Sequence, residues 1–71
     1  MEFEQAVQAA REIDPSVDTV LEYKDFWVFF KRGRRAQDSE ICIDRATGNR
    51  ISYAELVIEN RVEETGKLKA L

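Results

Sequence analysis

The chain has 71 residues, 44% of them apolar and 35% charged, with a net charge of −3 and no histidine. That length fits one domain, which buries only about 60% of the surface its unfolded chain exposes. The balance of charge excludes a general attraction to nucleic acid or anionic membranes, and the lone cysteine, Cys42, excludes an internal disulfide.

No apolar run approaches the roughly 20 residues that span a bilayer. The N-terminal Met-Glu-Phe-Glu-Gln is acidic and lacks the basic-then-apolar pattern of an export signal. The expectation is a cytoplasmic protein with no membrane association.

In chain order, the spacing first predicts a helix over residues 2–13. Phe3, Ala6, Val7, Ala10 and Ile13 recur at three- and four-residue steps and share a face. Asp14-Pro15 ends it, because a residue before proline is pushed out of the α region.

Residues 17–23 read as a strand rich in β-branched side chains, and Lys24-Asp25 as a tight turn or a bulge. Residues 26–31 form a stronger strand. Phe26, Val28 and Phe30 point one way and Trp27, Phe29 and Lys31 the other. Both faces are apolar at its middle, so it belongs at the centre of a sheet or under cover on both sides.

Residues 31–39 are polar around Gly33 and read as a hairpin loop, and 40–44 as the return strand. Residues 45–49 form a turn in which Asp44 accepts backbone N–H bonds and Gly48 takes a positive φ. Arg50-Ile51 extends a strand briefly.

Ser52-Tyr53-Ala54-Glu55 fits a capping box that opens a helix over 53–64, with Gly66 as its stop. Residues 67–71 are expected to fray. The fold class is therefore α+β: an N-terminal helix, a two- or three-stranded antiparallel β-meander and a C-terminal helix, forming a single domain over 1–66.

Two features could carry function. Lys31, Arg32, Arg34 and Arg35 crowd the hairpin loop and could hold phosphates or an acidic partner. The plainer alternative is a solvated loop whose cations pair with Asp38, Glu40 or the acidic helices. Trp27 and Phe29 share a strand face; if that face is bare, they form a protein-binding patch, and otherwise they are core.

Catalysis has little to work with. Cys42 has no histidine to activate it. No ligand spacing suits a metal, and no glycine-rich phosphate loop is present. The chain is expected to be neither an enzyme nor a holder of a cofactor. The segment Asp44-Arg45-Ala46-Thr47-Gly48-Asn49 lacks the alternating acidic ligands of a calcium loop.

The aromatic Trp27-Val28-Phe29 strand followed by Ile43-Asp44, Thr47-Gly48 and Ile51 resembles the hairpin of PepSY-type domains. It is also similar to a family of small bacterial toxin-immunity proteins with a comparable strand and turn. The leading helix with Ala6, Ala9 and Ala10 before Asp14-Pro15 fits the PepSY order, while the Ser52-capped helix lies outside it. The resemblance implies a non-catalytic binding or inhibitory module and brings no catalytic residue with it.

The leading expectation is a small bacterial or phage protein that binds another protein through the Trp27/Phe29 face or the basic loop, with a homodimer as one form of that binding. The alternative is nucleic-acid binding through Lys31, Arg32, Arg34 and Arg35.

Overall fold

A computed structural model describes residues 1–33, 40–59 and 66–71 of the chain. Helix α1, Phe3–Ile13, starts where the Glu2 N–H donates to Gln5 Oε1 at 3.0 Å. It ends where Asp14 Oδ1 accepts from both the N–H and the hydroxyl of Ser16, just past Pro15.

Its buried stripe is narrow. Ala6 and Ala10 are sealed, and Phe3, Val7 and Ala9 pack beside them. Ile13, expected on that stripe, is about half exposed instead, because the helix stops there and the chain turns away. Alanines at the contact let the helix backbone lie close to whatever it covers, and what it covers is the sheet.

Strand β1, Thr19–Glu22, pairs antiparallel with β2, Phe26–Phe30. The Tyr23 N–H donates to the Phe26 carbonyl at 3.0 Å, so Lys24-Asp25 is a tight two-residue turn. Strand β3, Ile41–Asp44, pairs with the other side of β2. The turn after it follows its sequence: Asp44 Oδ1 accepts from the N–H groups of Ala46 and Thr47, and Gly48 sits at φ 76°. Strand β4, Arg50–Ile51, then pairs with β3.

Helix α2, Tyr53–Ile58, follows. The expected capping box is not formed: Ser52 holds the N-cap position, but its hydroxyl makes no cap bond. The helix start rests on the Leu56 N–H donating to the Ser52 carbonyl and on the burial of Leu56. The expected continuation towards residue 64 lies outside the described residues.

The end of the chain departs most from expectation. Lys67–Ala70, read as a frayed tail, is strand β5, paired antiparallel with β1. The sheet therefore has five strands in the order β4-β3-β2-β1-β5, rather than two or three. β5 is held by backbone pairing to a strand distant in sequence, which leaves little hydrophobic pattern to read. Gly66, expected only as a helix stop, also makes room for an aromatic ring, since a Cβ there would lie 2.8 Å from the ring of Tyr23.

The fold is thus α+β, with a central antiparallel sheet that carries a helix on each face. On the α1 face, Val17, Val20, Trp27, Phe29, Ile41 and Ile43 join Ala6 and Ala10. On the α2 face, Phe26, Val28 and Cys42 meet Leu56, with Leu21, Tyr23, Ile51 and Tyr53 around them. β2 is the middle strand and is covered on both sides, as its composition predicts.

Phe29 is fully buried beneath α1. Replacing it with alanine should cost about 3–5 kcal/mol, a large share of the total for a domain this small. Urea unfolding should show the midpoint falling accordingly, or the variant unfolded in buffer. A loss below about 1 kcal/mol would contradict a packed α1 face.

Candidate interaction surfaces

The aromatic face read as a partner patch is not a surface. Trp27 is 2% exposed and Phe29 0%. α1 lies over them, with the Phe3 ring edge-on to Trp27 at 5.7 Å and stacked on Phe29 at 6.2 Å. The isolated chain buries these rings by itself, so no second copy is needed to cover them.

Arg45 completes the cover, a role its place in a turn did not reveal. Its guanidinium carbon stands 4.9 Å above the Trp27 ring, and Nη1 donates to the Tyr23 carbonyl at 2.6 Å. The Arg45 backbone N–H donates to the Asp25 carbonyl at 2.9 Å, so one residue ties the β3–β4 turn to the β1–β2 turn. The indole Nε1 of Trp27 has no partner at hydrogen-bonding geometry.

Its dipole nevertheless acts on Glu22, which stands opposite in the strand register. Burial pushes the Glu22 carboxyl up. Lys69, Trp27 and Arg45 outweigh that and hold it below its usual range.

The basic loop is divided. Lys31 Nζ lies 3.1 Å from Asp18 Oδ2, so this cation is already paired. Asp18 Oδ1 also accepts from the Arg32 N–H at 2.9 Å and from the Thr19 hydroxyl at 2.9 Å. Arg32 itself is exposed. Arg34 and Arg35 lie outside the described residues.

Glu40 and Cys42 stand on the α2 face. Burial pushes the Cys42 thiol up to about 12, reinforced by Glu40 and opposed by Arg50, which makes it a packing residue with almost no thiolate at neutral pH. Burial also raises the Glu40 carboxyl, whose Oε2 is enclosed without a partner. A shallow hollow of about 390 Å³ between the two turns is lined by Lys24, Asp25, Asp44, Arg45 and Ala46. Asp44 is engaged by its own turn there.

The exposed apolar groups lie elsewhere. Val57 and Ile58 project from α2, Ile58 being 80% exposed, and the acidic side chains of Glu55 and Glu59 are exposed beside them. Leu68 on β5 is 56% exposed, and its register partner Leu21 belongs to the α2 face. The sequence placed Val57 and Ile58 on the second helix, but that Leu56 is its only sealed residue among those described could not be seen from spacing.

Among the described residues, no helix is long and apolar enough to cross a membrane. No protein-family model matches the chain. No curated protein and no solved structure is significantly similar to it.

The Arg32 backbone bond, then the bonds from Lys31 and Thr19, hold the Asp18 carboxyl at about 2, against its ordinary 3.8. A carboxyl lowered by folding stabilises the fold above its unfolded value and loses that contribution as pH falls through its folded value. Asp18→Asn should therefore be less stable than the parent at neutral pH. The gap should close on acidification from about pH 4 towards pH 2. Thermal unfolding of both proteins across that range checks it; a gap independent of pH would contradict the arrangement around Asp18.

Proposed function

We propose that this chain is a small non-catalytic protein-binding module, inhibitory or immunity-like in its action, in the cytoplasm of a bacterium or phage-infected cell. The observation that carries the reading is the exposed apolar pair Val57 and Ile58 on α2, beside Glu55 and Glu59. With both sheet faces covered, Ile58 and about half of Val57 are left in water.

The partner is a protein with an apolar hollow rimmed by basic groups. A second copy suits this surface poorly, because twofold contact would bring the Glu55 and Glu59 carboxylates of the two chains together. The hairpin resemblance to PepSY-type and toxin-immunity domains supports a binding role, and the free buried thiol of Cys42 suits a reducing compartment.

Nucleic-acid binding through Lys31, Arg32, Arg34 and Arg35 is the second reading. Asp18 neutralises one of these cations, and the net charge of −3 repels phosphate.

A photo-crosslinking residue at position 57, introduced in the native host, should give one dominant protein adduct. Adding Ile58→Asp should reduce that adduct roughly tenfold or more, while stability stays within about 0.5 kcal/mol of the parent. An adduct that Ile58→Asp leaves unchanged would overturn the α2 surface. Saturable, salt-sensitive binding of labelled DNA or RNA, lost on Arg34→Ala with Arg35→Ala, would replace protein binding with the second reading.

A further inference from the structure

The edge of the sheet formed by β5 has a chemistry of its own, apart from the α2 surface. All four of its residues are exposed, and no strand among the described residues pairs with its outer side. In an antiparallel ladder each residue sends its N–H and C=O to the same side, alternating along the strand.

The phase of that alternation is fixed here from two directions. The Tyr23 N–H points to β2, so Leu21 and Thr19 face β2 while Glu22 and Val20 face β5. Their register partners Lys67 and Lys69 therefore turn their backbone groups inward. The Leu71 N–H donating to the Asp18 carbonyl at 2.9 Å gives the same phase. What faces outward is the N–H and C=O of Leu68 and Ala70.

The side chains sort the same way. Leu68 and Ala70 lie on the α2 side with their register partners Leu21 and Thr19. Lys67 and Lys69 lie on the α1 side with Glu22 and Val20. Lys69 Nζ rests 3.3 Å from Glu22 Oε1 yet remains about half exposed. Among the described side chains of β1 and β5, one carboxylate thus stands against two ammonium groups, and this face of the edge is net positive.

From this we infer that β5 accepts an added strand from a protein partner whose residues alternate between acidic and apolar. The acidic positions fall opposite Lys67 and Lys69, and the apolar positions opposite Leu68 and Ala70. Cross-strand pairs of opposite charge are favourable and like charges directly opposite are not.

That rule disfavours the most obvious competitor, a second copy of this chain. Antiparallel β5–β5 pairing that joins the outward groups of Leu68 and Ala70 puts lysine opposite lysine. Lysines on an edge strand are a common guard against indiscriminate pairing. Here they stand on one side only, with an exposed leucine on the other, so they select a partner by charge rather than exclude all partners.

The test uses the whole protein, isotopically labelled, with a short capped peptide of alternating valine and glutamate and its valine–lysine counterpart. The glutamate peptide should bind saturably and slow hydrogen exchange at the Leu68 and Ala70 amides, leaving Lys67 and Lys69 little changed. The lysine peptide should bind roughly tenfold or more weakly, and Lys67→Glu with Lys69→Glu should reverse the order. Methylating alternate peptide nitrogens on the pairing side should abolish binding.

Equal binding of the two peptides, protection mapped away from β5, or no saturation at millimolar glutamate peptide would overturn the inference. None of these results bears on crosslinking from position 57, so the two surfaces stand or fall separately.

Discussion

Everything in this structure depends on β2 being buried on both sides. Phe26 and Val28 face one layer and Trp27 and Phe29 the other, so each face needs its own helix to keep water off the strand. In a chain of this length that is a severe demand. The two helices supply it unequally: α1 brings a stripe of small residues that fits closely, whereas α2 brings, among the described residues, one sealed leucine. Among the described residues, Val57, Ile58 and Leu68 are exposed on the α2 side, while Met1 and Ile13 are exposed apart from it.

The unequal cover also explains how the charges are used. Arg45 lies over Trp27, at the turn end of β1 and β2. Asp18 gathers the Arg32 amide, Lys31 and the Thr19 hydroxyl at the opposite end of β1 and β2. Each charged residue closes an end of the hairpin that apolar side chains do not reach. Partial exposure keeps the energy of such contacts modest, but both fix the position of turns that would otherwise depend on the backbone alone.

Much of the fold was legible because several signals are local. The spacing of alanines in α1, the alternation in β2 and the Asp44-to-Gly48 turn each read correctly from a few neighbouring residues. The short strand at Arg50-Ile51 was legible as well. β5 was not legible for the opposite reason: Lys-Leu-Lys-Ala gains its pairing only from β1, far away in the chain. The candidate surfaces were harder still. Trp27 and Phe29 carried the right composition for either a core or an interface, and the placement of α1 and Arg45 over them decides for core. Val57 and Ile58 gave no signal of exposure, because their fate depends on how far α2 reaches across the sheet.

The pairing of β5 with β1 also has a consequence for the order of assembly. β1, β2, β3 and β4 are successive neighbours, and their contacts close short loops. The Glu22–Lys69 contact spans 47 residues, and closing a long loop costs entropy before any contact repays it. The meander and α1 can therefore form the folding nucleus, with β5 added after the rate-limiting step. A destabilising substitution in β5 would then hasten unfolding and leave the folding rate nearly untouched, whereas one in β2 would slow folding. The strand that closes the sheet is in this sense a latch, and its strength sets how long the native state lasts.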